Sequence, residues 1–143
     1  MATHELAQVI EHYHRAVGAF VQGDLEPQKR LWSRRDDITL ANPLGPPARG
    51  WEQVAQALER AVAQIREGEA LGSERIAEVA TADLAYIVEI ERARLKVGGA
   101  DEFASVSLRV TTIFRREDGE WRLVHRHADP ITTPRPIESV VQQ

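Results

Sequence analysis

Hydrophobic residues recur at helical spacing in the first half of the chain and alternate with polar residues through most of the second half. A period near 3.6 predicts helices, and a period of two predicts strands. The predicted helices are residues 4–22, a short helix carrying Leu31 and Trp32, and a third that starts near Trp51 and ends at Gly68. The predicted strands are residues 38–42, 76–81, 84–96, 103–116 and 121–129. Helices that precede an antiparallel meander predict an α+β fold.

Length and composition narrow the class of protein. The 143 residues predict one domain over 1–143, in which residues 130–143, with three prolines, form an extended tail. The net charge is −4, with acidic and basic residues interspersed along the chain, and no basic run offers a nucleic-acid surface. Without cysteine the chain has neither disulfides nor thiol chemistry. Because there is no signal-peptide pattern and no apolar stretch of ~18 residues, we expect a cytoplasmic protein that does not bind membranes.

The last predicted strand has a face of mixed character. At a period of two, Trp121, Leu123, His125, His127 and Asp129 point to the same side. The face begins with apolar residues and ends in three ionisable groups. Such a gradient is typical of the wall of a ligand pocket.

Loop lengths predict which residues lie beside this face. The Asp118-Gly119 pair predicts a two-residue hairpin, and hydrophobic matching favours a three-residue loop over 98–100 for the hairpin before it. The rows predicted across the three strands are Tyr86–Thr112–His125, Val88–Val110–His127 and Ile90–Leu108–Asp129. Both histidines are therefore predicted to lie in one pocket wall.

The opposite face of the predicted sheet mixes Ile87, Ile113 and Val124 with glutamates and arginines. An apolar centre on an exposed sheet face is typical of a subunit interface. We therefore expect a homodimer formed through this outer face. The alternative is a solvated face on which long charged side chains cover the apolar residues.

Three segments resemble the nuclear transport factor 2-like superfamily. They are residues 23–27 after the first helix, residues 40–53, and residues 112–127. The chain is most similar to the SnoaL-like and ketosteroid-isomerase-like proteins and to the association domain of calmodulin-dependent kinase. The resemblance implies a cone-shaped, curved antiparallel sheet with three N-terminal helices packed over its concave face. It also implies dimers that form through the outer face of the sheet.

Several functional residues of these relatives are replaced in this chain. Asn42 stands where ketosteroid isomerases have a catalytic aspartate, and an amide cannot accept a proton as a carboxylate does. Ala16 stands at the place of the oxyanion tyrosine, with Tyr13 one turn away. Thr112 or the residue before it replaces the buried acid. Val88 and Thr112 match the pocket arginines of the kinase association domain, so neither steroid isomerisation nor carboxylate binding of that type is expected.

His125 and His127 are the candidate general acid and base, because an imidazole titrates near neutral pH. The alternative is a structural role, in which His125 donates a hydrogen bond beneath the helices. A metal site would need a third ligand from Asp129, His12 or His14, so no metal is expected. The other candidate ligand-binding residues are Tyr13, Trp32, Asn42, Trp51, Tyr86, Val88, Val110, Thr112 and Asp129.

These features indicate a protein that binds a small, mostly apolar organic molecule without a cofactor. A catalytic form would use acid–base chemistry of the isomerase, cyclase or hydrolase type, with Tyr13, Asn42 or Tyr86 polarising the substrate. The alternative is a non-catalytic module for ligand binding or dimerisation. The amide of Asn42 favours the non-catalytic module, and the paired histidines favour the enzyme.

Overall fold

The structure of the protein, a computed structural model, describes residues 4–142. Its helices are α1 (His4–Val21), α2 (Glu26–Leu31) and α3 (Gly50–Val62). Its strands are β1 (Thr39–Ala41), β2 (Ala48–Arg49), β3 (Ile65–Ala80), β4 (Leu84–Val97), β5 (Ala104–Glu117) and β6 (Glu120–Asp129). A short 3₁₀ helix, Ile137–Val140, lies in the exposed C-terminal tail.

The six strands form one curved, unclosed sheet in the order β2-β1-β6-β5-β4-β3. Every neighbouring pair is antiparallel except β1 and β6, which run parallel. The three helices pack against one face of the sheet, which is the concave face, and the predicted α+β fold is confirmed. Buried residues between α1 and the sheet, among them Tyr13, Ile87 and Phe114, form much of the core.

The third helix is shorter than predicted. It ends at Val62, and Ile65 already begins β3, which extends through the predicted strand 76–81. Most of β3 is exposed at the edge of the sheet, so its hydrophobic alternation is weak in the sequence. Gly68 is buried within it, where the carbonyl oxygen of Val21 would lie 2.3 Å from an added Cβ. The two-residue strand β2 was not predicted.

The predicted register between β5 and β6 is wrong beyond Leu123. Phe114 pairs with Leu123 as predicted, but Ile113 pairs with His125, so Val124 is the extra residue of a β-bulge. A bulge moves every later side chain of its strand to the other face. Consequently Thr112 pairs with Arg126, and Thr112 and His125 lie on opposite faces of the sheet.

The predicted register between β4 and β5 is also wrong. Val88 pairs with Thr111 and not with Val110, and Ile87 pairs with Thr112. Residues 98–103 connect the strands, a longer loop than predicted. The concave face of β4 therefore carries Ala85, Ile87, Glu89, Glu91, Ala93 and Leu95. Hydrophobic matching failed here because two buried glutamates belong to the core face, while apolar residues lie on the outer one.

Candidate functional site

A cavity of about 270 Å³ lies between the helices and the concave face. Most of its lining is apolar. Its apolar side chains include Val17 and Phe20 of α1, Leu58 and Ala61 of α3, Ala93 and Leu95 of β4, and Val106 and Leu108 of β5. The volume is close to the lower end of the ~300–1,000 Å³ common among small-molecule sites.

Two charged residues form a polar spot in this apolar lining. Glu91 and Arg126 both line the cavity, and an Arg126 Nη2–H donates to Glu91 Oε1 at 2.9 Å. Their side chains are 9 % and 13 % exposed. Behind them, the Tyr13 hydroxyl donates to Glu91 Oε2 at 2.5 Å and accepts a hydrogen bond from Arg126 Nε at 3.1 Å. Tyr13, Glu91 and Arg126 thus form a closed hydrogen-bonded network, the Tyr13–Glu91–Arg126 network.

Burial and charge fix the protonation states of two members of this network. Complete burial, together with the Glu91 carboxylate, raises the pKa of Tyr13 above its usual value. Burial alone would lower the pKa of Arg126, but its interactions with Tyr13 and Glu91 outweigh that effect and raise it. Near neutral pH, Tyr13 is therefore a neutral donor and Arg126 a cation.

The lining also contains Gln28, a buried residue of α2 that is 3 % exposed. Its Oε1 has no hydrogen-bond partner within residues 4–142. Buried polar atoms in proteins are nearly always hydrogen-bonded, and an unpaired one costs free energy. Gln28 is therefore a polar group of the cavity that the protein itself leaves unsatisfied.

A second buried carboxylate lies beside the network without lining the cavity. Glu89 accepts a hydrogen bond from Arg75 Nε at 2.7 Å, and its Oε1 lies 2.8 Å from His14 Nε2. Burial would raise the pKa of Glu89, but His14 and Arg75 outweigh it and lower the pKa. Ser73 Oγ lies 3.5 Å from the same His14 nitrogen. A serine–histidine–acid triad needs two different ring nitrogens, so this cluster is an ion-pair network and not a triad.

The predicted ligand-binding residues on the concave side fall at different depths. Asn42 lines the cavity, and its Oδ1 accepts a hydrogen bond from the Leu44 backbone N–H. Val110 and Thr112 are buried in the sheet beneath the helices, and neither lines the cavity. Tyr13 reaches the cavity only through its contacts with Glu91 and Arg126.

Neither predicted tryptophan lines the cavity. Trp32 is 1 % exposed and belongs to the core. Trp51 is half-buried, and the Arg34 guanidinium stacks 3.6 Å above its ring. These placements support packing roles for both residues.

The remaining predicted site residues lie on the convex face. Tyr86 and Val88 pair with Ile113 and Thr111 there, in register with His125 and His127. They do not form the predicted row with Thr112 and Val110. The whole stripe of convex residues that crosses β4, β5 and β6 is therefore separated from the cavity by the thickness of the sheet.

On this face the two histidines contact polar partners. His125 Nδ1 lies 2.7 Å from Thr39 Oγ1, and His127 Nε2 lies 3.2 Å from Asp129 Oδ2. Burial and the nearby His127 lower the pKa of His125. Burial would raise the pKa of Asp129, but hydrogen bonds from the Ile131 N–H and Arg109 Nε lower it. Within residues 4–142, no group of three or more histidine, aspartate or glutamate side chains is placed so that it could hold a metal ion.

Sequence reasoning missed Glu91, Arg126 and Gln28 as cavity residues. It predicted Glu91 and Arg126 on the outer face, because hydrophobic matching set the register of the strands and their faces with it. One signal in the sequence pointed the other way. A two-residue loop at Gly98-Gly99 would pair Val88 with Arg109, which predicts the observed faces of β4 and β5 although not their exact pairs.

Solved structures share this architecture. A ketosteroid isomerase-like protein from Erwinia carotovora atroseptica matches with a TM-score of 0.74 at 17 % identity, over 92 % of this chain and 100 % of that one. A nuclear transport factor 2-like superfamily protein from Salmonella enterica matches with a TM-score of 0.76 at 15 % identity, over 92 % and 94 %. An NTF2-like protein of unknown function from Pseudomonas putida matches with a TM-score of 0.68 at 23 % identity, over 94 % and 88 %. At these identities the likeness concerns the fold.

Three helices over a curved, unclosed sheet thus define a protein of the nuclear transport factor 2-like superfamily. The family model of the SnoaL-like domain matches residues 6–132, so the chain belongs to the SnoaL-like family. No curated protein matches the chain in sequence. Among residues 4–142, no helix is long and apolar enough to cross a membrane.

Proposed function

We propose that the protein binds a compact, mostly apolar organic molecule in the cavity between its helices and its sheet. The observation that supports this proposal best is an apolar space of about 270 Å³ whose wall includes the ion-paired residues Glu91 and Arg126. A few polar groups in an apolar lining are what orient small ligands in proteins. An internal cavity lowers the stability of a protein, and a buried ion pair contributes little to it. Ligand binding accounts for the presence of both features at the same place.

Three naphthalene probes test the proposal: naphthalene, 2-naphthol and 2-naphthoate, each titrated while its own fluorescence is recorded. We expect saturable binding of at least one probe to the wild-type protein. Ala93→Phe fills the cavity from β4 and should abolish that binding. Ser105→Phe adds the same ring to an exposed residue of β5 and should leave binding unchanged. If no probe binds, or if Ala93→Phe binds as well as the wild type, the proposed site is wrong.

A second candidate function is acid–base catalysis in the same cavity, with Glu91 as the group that exchanges protons. The observation that favours it is a buried carboxylate at the cavity wall, with Oε2 hydrogen-bonded to the Tyr13 hydroxyl and Oε1 to Arg126. His125 and His127 were the predicted base, but they lie on the convex face. A carboxylate in an apolar site can accept a proton from a carbon next to a carbonyl group.

Proton exchange tests this second function without knowledge of the natural reaction. In D₂O, 1-tetralone should lose the hydrogens next to its carbonyl group faster with the wild-type protein than with buffer, as followed by proton NMR. Glu91→Gln should remove the acceleration, whereas Glu74→Gln, at an exposed glutamate of β3, should not. Equal exchange with and without protein would leave a binding protein that is not an acid–base catalyst.

We also propose that a second copy of the chain packs on the convex face. The observation in favour is an apolar stripe at its centre, formed by Val79, Tyr86, Val88, Ile90 and Ile113. Val79 is 45 % exposed and Tyr86 is 39 % exposed. The residues differ from the predicted interface, because Ile87 and Val124 are buried on the concave side of the sheet.

A further inference from the structure

In the cavity wall Glu91 and Arg126 neutralise each other, and the amide oxygen of Gln28 has no hydrogen-bond partner within residues 4–142. We propose that the ligand of this cavity is an uncharged molecule that combines a hydroxyl group with a second hydrogen-bond acceptor such as a carbonyl. The hydroxyl group binds the Gln28 amide, and the acceptor binds Arg126. This inference rests on the proposed binding function and adds the chemical class of the ligand.

Gln28 accounts for the hydroxyl group. Its side chain lines the cavity, is almost fully buried, and has an amide oxygen without a partner within residues 4–142. A primary amide can both donate and accept hydrogen bonds, and its two ends exchange places by rotation. A hydroxyl group is also both donor and acceptor, so it can satisfy either end. A carboxylate only accepts, so it could bind the amide nitrogen but would leave the amide oxygen without a partner.

Arg126 accounts for the acceptor. The guanidinium has five N–H groups in a fixed plane. Its hydrogen bonds to Tyr13 and Glu91 use Nε and Nη2, and Nη1 makes none within the described part of the chain. Because Arg126 is held in place by those two partners, its remaining donors are oriented before a ligand arrives. Preorganised donors of this kind lose little entropy on binding.

The charge balance accounts for the preference for an uncharged ligand. Glu91 neutralises Arg126 at 2.9 Å, so the buried polar spot has no net charge. Arg92 also lines the cavity, but its side chain is 49 % exposed and contacts Glu74. A carboxylate that entered the cavity would lose its hydration shell and lie near the negative charge of Glu91. Arg126 is already paired with Glu91, so it would not compensate the carboxylate for the lost water. The free-energy cost of burying an unpaired charge is comparable to the whole binding free energy of a weak ligand.

The wild-type protein tests this inference first, with the same three probes at pH 7. We expect 2-naphthol to bind at least about tenfold more tightly than 2-naphthoate and about two- to tenfold more tightly than naphthalene, the gain of one satisfied hydrogen bond. Equal or tighter binding of 2-naphthoate would overturn the inference and leave cavity binding intact. Binding of no probe would overturn the inference and the proposed function together.

Two variants then test the assigned residues. Gln28→Leu should reduce the preference for 2-naphthol over naphthalene to less than about twofold, since the hydroxyl group loses its partner. Glu91→Gln leaves Arg126 without a counter-charge and should make 2-naphthoate bind at least about tenfold more tightly than it binds the wild type. The change Glu52→Gln, at an exposed residue of α3 that does not line the cavity, is the matched control and should alter neither ratio. An unchanged probe preference in Gln28→Leu, or no gain for 2-naphthoate in Glu91→Gln, would overturn the corresponding assignment.

Discussion

At the scale of single residues, the concave side is defined by two buried carboxylates that the helices cover. Glu91 contacts Tyr13 and Arg126, and Glu89 contacts His14 and Arg75. Each acid therefore has one partner from α1 and one from another strand of the sheet: Arg126 of β6 for Glu91, and Arg75 of β3 for Glu89. Paired charges of this kind add little to stability compared with apolar residues, but a single unpaired one is very costly. Of the two, Glu91 lines the cavity and Glu89 does not, so the proposed role in recognising a ligand concerns Glu91.

The ion pair between Glu91 and Arg126 leads to a stability prediction. Arg126→Met leaves a buried carboxylate without its cation and should lower the free energy of unfolding by about 3–5 kcal/mol, as measured by urea denaturation. Glu91→Leu together with Arg126→Met removes both charges and should be more stable than Arg126→Met alone. Arg92→Met breaks an exposed contact with Glu74 and should cost less than about 1 kcal/mol. A double variant less stable than Arg126→Met would contradict the prediction.

At the scale of elements, the helices and long strands follow from the spacing of apolar residues, because that spacing reflects which side of each element is buried. The faces of the strands do not follow so directly. One extra residue at Val124 reverses the second half of β6, and no side chain in that segment signals a bulge. The apolar spacing therefore predicts helices followed by an antiparallel meander, and the family resemblance implies the cone, while Glu91 and Arg126 become cavity residues only through the observed register.

The junction of α1 with β3 leads to a second prediction. Gly68 packs so closely against Val21 that an added Cβ would lie 2.3 Å from its carbonyl oxygen and 2.7 Å from its Cβ. Because backbone must shift to admit a methyl group, Gly68→Ala should lower the free energy of unfolding by about 1–3 kcal/mol. Gly99→Ala, in an exposed loop with no neighbour within 4 Å, should change it by less than about 0.5 kcal/mol. Equal urea midpoints for both variants would show that β3 moves freely away from α1.

At the scale of the whole molecule, the sheet separates two surfaces with different chemistry. The concave face surrounds an apolar cavity, and the convex face presents an apolar stripe beside His125 and His127. A buried ligand and a partner subunit can therefore occupy the same sheet without competing. The sequence predicted one surface of each kind but exchanged some of their residues, because hydrophobicity alone does not distinguish a core from an interface.

The proposed dimer leads to a third prediction. Ile113 is half-buried in the centre of the convex stripe, so Ile113→Asp should place a charge in the contact between copies and yield a monomer. Light scattering coupled to size exclusion should show the wild type at about twice the chain mass of 16.0 kDa. Glu102→Lys, at an exposed residue outside the stripe, is the control and should remain dimeric. A monomeric wild type would refute the proposed assembly.

The pKa of His125 makes stability dependent on pH. Burial and His127 lower the pKa of this imidazole below 6.5 in the folded chain, with Thr39 opposing them, so the folded state resists a proton that the unfolded chain accepts. Stability from this residue is thus fully present above pH 6.5 and decreases as the pH falls towards the folded value. Because the side chain is partly exposed, the loss should be less than about 1 kcal/mol. His125→Asn should flatten the dependence of the urea midpoint on pH between pH 7.5 and 5.5, whereas His12→Asn, at an exposed residue of α1, should not.

If a second copy covers this face, further desolvation of His125 should also make the wild-type dimer dissociate more readily at pH 5.5 than the His125→Asn dimer. If the wild type and His125→Asn show the same pH dependence of unfolding and of dimer dissociation, protonation of His125 affects neither folding nor assembly.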